Sequence, residues 1–431
     1  MNKRHLLGLL ALVPMVWLAG CGGSSGGNAS VRLVNASAGY ASLDLYINDA
    51  KVTTSSVTVG AGSAFADASS GTVTTALAAS SSATYLLSQS RNFAKDTKYT
   101  VVAYGWQGAP RSVVLTENIV ADTSATPKAK ISVLNTATDA GALNVYLTGA
   151  TDDLAGAQPV ATSITGGSQS SYGAVLPGTY RLRVTSNLDV SDVRLDVPAV
   201  TLASGEVDTL VLSAGAGGIL VNAAQIVQGG NVTAHNNTQA RVRVVSALTG
   251  TGDKTSLTLN GAALVSNTAS PTIGDYSLVS AGAATIGGTA TGTATLAPGS
   301  DSTLLVLGTA AAPSLAVITD DNRLPTSATS AKLRLVNAMD PVGMASYSLT
   351  MTLNYGSVAT NLLPGTGSKY KEVTPVTAST IEVSSAFRPA PMVTKDANVT
   401  LAAQGVYTFY MFGDAGNGGA GAWNGQLRQD R

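Results

Sequence analysis

One short phrase occurs four times in this chain, and its spacing limits the fold more than any other feature. Val31-Arg32-Leu33-Val34-Asn35 returns as Ile131-Ser132-Val133-Leu134-Asn135, Val242-Arg243-Val244-Val245-Ser246 and Leu333-Arg334-Leu335-Val336-Asn337, at offsets of 100, 111 and 91 residues. That interval is too long for a solenoid unit and suits a whole small domain. The 431 residues therefore divide into four related modules, each long enough to close a core of its own.

Within each module the phrase is followed by a strictly alternating segment: Leu43-Asp44-Leu45-Tyr46-Ile47-Asn48, Leu143-Asn144-Val145-Tyr146-Leu147-Thr148, Leu257-Thr258-Leu259-Asn260 and Leu349-Thr350-Met351-Thr352-Leu353-Asn354. A period of two with polar partners predicts strands with one buried and one wet face. An aromatic then precedes a turn at Phe65, Tyr172, Tyr276 and Tyr370. The last shared phrase is an apolar strand opening on Thr100, Thr209, Thr303 or Thr408, and it closes on Gly105, Gly308 and Gly413 in three of the modules. Charged residues are 12% of the chain and aromatics 5%, a balance that suits short strands and tight connections rather than helices. The expected fold class is all-β, with four tandem immunoglobulin-like β-sandwiches.

Taken together these phrases resemble the family of domain of unknown function 4397. The resemblance implies an extracytoplasmic bacterial or archaeal sandwich module, and carries over no catalytic residue. The modules are expected at 30–126, 127–235, 236–328 and 329–431, after a leader at 1–20 and a tether at 21–29. Polar segments at 121–127, 229–237 and 324–328 read as short linkers. Such linkers restrict swinging and favour a semi-rigid string over freely jointed beads; placed end to end the four modules would span about 100 Å, and whether neighbours pack is open at the level of sequence.

The N-terminus carries its own message. Lys3 and Arg4 precede an apolar run from Leu6 to Leu18, too short for a comfortable membrane span, which closes on Leu18-Ala19-Gly20-Cys21. This resembles the bacterial lipobox, which implies cleavage before Cys21 and lipid attachment to its thiol. Gly22 at the sorting position then implies the outer membrane, facing either the periplasm or the cell surface. Cys21 is the one cysteine of the chain, so no internal disulfide can form. The glycines and serines after it form a flexible tether.

The 25 basic and 25 acidic residues cancel, which leaves no positive field to gather nucleic acid. The only histidine beyond the leader is His235, placed in an expected linker without an orienting partner. No Ser-His-acid triad can then be assembled, and zinc lacks ligands. Glu117, Glu206, Glu372 and Glu382 read as solvated residues on strand faces or turns, spread over three modules, and the oxygen-rich stretches at 320–322 and 414–417 as turn caps rather than calcium sites. No metal, cofactor or catalytic residue is expected. The chain reads as a non-enzymatic envelope lipoprotein, a spacer, adhesin or scaffold whose partners are the membrane through Cys21 and a glycan or envelope protein. Strand addition at exposed sheet edges is a further route to partners. Trp106 and Trp423, each following the last shared phrase, are the candidate ligand-binding aromatics. The alternative is a polysaccharide-active enzyme or accessory with a cleft between modules, marked by two Asp residues facing each other.

Overall fold

The structure, a computed structural model, describes residues 27–250, 252–340, 348–385, 394–414 and 423–431. The leader, Cys21 and residues 415–417 lie outside them. Among the described residues are eight small β-sheets, two per module, and one short 3-10 turn at Thr138–Ala140.

The first module sets the pattern. Its opening strand, Asn28–Asn35, is central in one sheet, flanked antiparallel by Ala66–Ser69 and parallel by Lys98–Trp106, with Ala109–Thr116 outside. The facing sheet is built on Ser42–Ile47 and Gly71–Ala79, with Tyr85–Phe93 at its edge. The same parallel pairing recurs in every module and puts Leu33 opposite Val101, Val133 opposite Leu210, Val244 opposite Leu304 and Leu335 opposite Phe409. Each pair of sheets closes on its own apolar core.

The recurring Asn now has a physical role. Asn135 Nδ2 donates to the carbonyls of Ile164 (2.8 Å) and Gly141 (3.1 Å), while its Oδ1 accepts from Ala137 N. Asn35 does the same with Val57, Tyr40 and Ser37, and Asn337 with Leu362 and Met339. A fully buried amide satisfies backbone groups where the chain leaves one sheet for the other. In the third module Ser246 bonds Thr255 at 2.7 Å instead.

The modules do not form an extended row. Opening strands bury both faces, because Val34, Val102 and Leu115 of the first module pack against Leu134, Val211 and Ile226 of the second. Val245, Leu305, Leu307 and Ile318 of the third pack likewise against Val336, Tyr410 and Phe412 of the fourth. The chain is thus two face-to-face pairs, 1 with 2 and 3 with 4. Residues 229–237, expected as a linker, include the strand Val232–His235, which extends the second module's sheet along Val221–Val227. His235 accordingly sits on a strand. Asn237 closes the step to the third module by donating to Arg194 O and Val221 O.

The second module buries a carboxyl where two of its sisters bury a tyrosine. Tyr99 and Tyr407 point their hydroxyls at the turn before their strand, accepting from Ala94 N (2.8 Å) and Ala402 N (3.0 Å). In the second module Glu206 accepts from Ala203 N and Asp208 stands in the tyrosine's place. Asp208 is fully buried, receives one bond from Gln225 Nε2 at 2.9 Å, and its Oδ2 has no hydrogen-bond partner. Burial, helped by Glu206 and opposed by Gln225, pushes its carboxyl from 3.8 up to about 7. A raised acid favours the folded state only while protonated. The module's stability should therefore fall as pH climbs from about 4 to about 7 and level off above. In Asp208→Asn that slope should disappear from thermal unfolding followed across pH 4 to 8; an unchanged slope would contradict the assignment.

Candidate functional site

Among the described residues the largest fully buried side chains include three arginines, Arg32, Arg243 and Arg334, each the second residue of the repeated phrase. Parallel register sets each beside the opening Thr of the penultimate strand: Arg32 opposite Thr100, Arg243 opposite Thr303, Arg334 opposite Thr408. The guanidinium Nε donates to that hydroxyl at 2.7, 2.9 and 2.9 Å. The aromatic that precedes the turn lies over the guanidinium, at 4.5 Å for Phe65, 4.6 Å for Tyr276 and 4.5 Å for Tyr370. An acid at the end of the closing strand completes the group: Glu117, Asp320 or Asp430.

These clusters lie between modules, and the ion pairs cross. Arg243 of the third module reaches Asp430 of the fourth at 2.5 Å, while Arg334 of the fourth bonds Asp320 of the third. Burial would raise the Asp320 carboxyl, but Arg334 and Arg243 outweigh it and hold it below 3.8. Burial and the neighbouring Asp320 push the Tyr276 hydroxyl well above its ordinary range, and burial drives Tyr410 up to about 12. Both stay neutral, and Tyr276 donates to Asp320 Oδ2 at 2.6 Å.

The 1·2 interface is the half-charged version. Arg32 takes Glu117 at 2.7 Å and donates across the boundary to Val227 O (3.0 Å) and Gly230 O. The second module has Ser132 where Arg would be, Gln228 where the acid would be, and Tyr172 bonded to Thr209 at 2.8 Å. Gln228 clips the first module by paired 2.9 Å bonds with Ile119 N and O. Arg and acid have been exchanged together for neutral groups, which avoids an unpaired buried charge. Glu117, expected in solvent, is therefore a buried interface residue.

Where the two pairs meet lies a cleft of about 510 Å³. It is walled by the turn after Gly105, by Thr138 and Asp139 of the second module, by residues 321–328, and by Lys332, Glu372 and Gln404 of the fourth. Gly105 has φ +102°, and a Cβ there would stand 2.4 Å from Ala109 O, so only glycine permits this turn. Trp106 follows, half-buried. Its Nε1 donates to Asp139 Oδ2 at 2.8 Å and Arg323 lies 4.7 Å over its ring. Arg323 also grips Asp321 through two bonds of 2.5 and 2.7 Å, and Lys332 sits 3.3 Å from the same carboxylate. Burial raises the Asp139 carboxyl, against Arg431 and Trp106; Asp321 is held low by Arg323 and Lys332 despite its burial. Arg111 lines the cleft, exposed and without an ion-pair partner among the described residues.

Of the two aromatics singled out, only Trp106 reaches this cleft. Trp423 is 8% exposed and belongs to the core of the fourth module, correcting its candidacy as a ligand-stacking residue. Asp320 is a buried ion-pair partner rather than a turn cap. Among the described residues no group of three or more His, Cys, Asp or Glu is placed to hold a metal ion, and no helix is long and apolar enough to cross a membrane.

The family model described as Domain of unknown function (DUF4397) matches residues 29–146 and 240–344, more than half of the chain. No curated protein matches. Among solved structures, the chain is similar to the Bacillus anthracis TIE protein at 12% identity over 86% of this chain and 68% of that one, with a TM-score of 0.15, too low to indicate a shared arrangement.

Breaking a crossed pair should cost more than removing both partners. Arg334→Met leaves Asp320 short of a buried partner and should destabilise the 3·4 unit by about 3–5 kcal/mol. Adding Asp320→Leu should restore much of that loss in urea unfolding, whereas equal losses in both variants would refute the pairing.

Proposed function

Because the chain belongs to the DUF4397 family, a family without an assigned activity in its description, we propose that it is a lipid-anchored binding body of the bacterial envelope. Four sandwiches fold into one block, Cys21 and the tether behind it moor the block to the outer membrane, and the cleft beside Trp106 takes a polar ligand. The observation that carries this reading is the cleft itself: three modules and one inter-module segment contribute to its wall, and Trp106 is held in place there by Asp139 and Arg323 before any ligand arrives. Pre-organised polar walls around an aromatic suit recognition of a hydroxyl-rich molecule.

The rival enzyme draws support from Asp139 and Asp321, which share the cleft with carboxyls shifted in opposite directions. Hydrolysis of a glycoside needs both carboxyls free to exchange protons or attack. Asp321 spends both oxygens on Arg323 and Lys332, which favours binding over turnover. Compactness favours a block facing the periplasm, since a surface receptor gains from reach.

Cys21→Ser should move the protein from the membrane to the soluble fraction, and protease added to intact cells should leave the wild-type protein whole; cleavage on intact cells would reverse the orientation proposed. On a polysaccharide array Trp106→Ala should lose about tenfold in affinity or more while its far-UV circular dichroism at the assay temperature stays that of the folded wild type. Full binding by that variant would remove the cleft from the account. Trp423→Ala should instead unfold the fourth module.

A further inference from the structure

The cations of the cleft are not equally free, and the difference specifies a ligand. Lys332 Nζ donates to Asp321 O (2.9 Å) and Arg323 O (2.8 Å) besides pairing with Asp321. Arg323 is held by the same carboxylate and by the Trp106 ring. Arg431, outside the lining, is turned away toward Gly218 O and Asn322 O, at 3.3 and 3.2 Å. Arg111, on the strand Ala109–Thr116 that returns from the Trp106 turn, makes no such commitment. One unspent guanidinium suits one carboxylate, taken in two parallel hydrogen bonds. It does not suit a di- or triphosphate, whose higher charge calls for several cations or a row of backbone N–H groups.

The rest of the wall limits the neutral part of the ligand. Glu372, Gln404 and Gln107 offer acceptors and amides in the same wall as Trp106, while Leu324 and Pro325 are the only sizeable aliphatic residues there. Glu372 is itself oriented by Thr326 N, 2.7 Å from its Oε1. A lipid or an apolar peptide side chain would find little to bury. A sugar ring presents one apolar face to an aromatic and hydroxyls to planar polar side chains.

Resting on the binding role above, we propose that the cleft recognises an acidic saccharide, with its carboxylate on Arg111 and a ring against Trp106. The carboxylate supplies the selectivity and the ring the attachment, so the two residues should fail differently.

The test uses the whole chain and two probes with the same sugar backbone, a pentamer of galacturonic acid and its fully methyl-esterified, uncharged form, titrated calorimetrically at low salt. The wild-type protein should bind the acid about tenfold tighter than the ester, equivalent to about 1.4 kcal/mol. Arg111→Gln should erase that ratio by bringing affinity for the acid down to that for the ester, and Trp106→Ala should weaken both. Equal affinity of the wild type for acid and ester, or a ratio that survives Arg111→Gln, would overturn the carboxylate assignment while leaving a neutral-saccharide site standing. Binding of neither probe would overturn both this inference and the saccharide reading of the cleft.

Discussion

Everything in this architecture depends on how an arginine can be buried in the middle of an apolar phrase. A guanidinium loses several kcal/mol on leaving water unless its hydrogen bonds and charge are matched. In the repeated phrase the match is assembled from four strands: the Thr across the parallel ladder, the aromatic on the flanking strand, the acid at the end of the closing strand, and a group from the next module. The last of these makes the modules inseparable. An isolated third module would leave Arg243 without Asp430, and an isolated fourth would leave Arg334 without Asp320. The apolar residues around them supply the area that holds the faces together, and the ion pairs fix which faces meet and in what register.

The second module shows the same logic with the charges taken out. Ser132 and Gln228 are neutral where its sisters carry Arg and acid, and Arg32 of the first module then turns to backbone carbonyls across the boundary. One arginine with one glutamate closes the 1·2 face, two arginines with two aspartates close the 3·4 face, and in both the buried charge sums to zero. The cleft follows from this packing. Trp106 and Asp139 belong to one pair and Arg323 and Lys332 to the other, so the wall exists only when both pairs are formed and docked.

Much of this was legible in the sequence, up to the edge of a module. Period-two segments such as Leu43 to Ile47 became strands, and the Thr, Gly and aromatic landmarks fell at equivalent places in the sheets. What could not be read was the second buried face. Alternation reports burial on one side of a strand; the phrases around Arg32 and Arg334 are buried on both, and their partner lies about 100 residues away in another module. A signal was nevertheless present: the charged residue of the phrase, its Thr, its aromatic and its acid recur as a set, and in the second module Arg and acid are absent together. For the cleft, Trp106 was visible as an unusual residue after Gly105, but Asp139, Arg323 and Arg111 carry no local mark, and Trp423, also beyond the last shared phrase of its module, folds into a core. Composition could not separate the two indoles, since only packing between pairs decides which one meets another module.

The central claim is that buried, matched arginines fold four sandwiches into one block rather than a row. Small-angle X-ray scattering from the whole chain in solution measures this directly. The account predicts a radius of gyration near the value of about 22 Å expected for a compact chain of this length. A radius of about 30 Å or more, with a maximum dimension approaching the ~100 Å of sandwiches placed end to end, would contradict it.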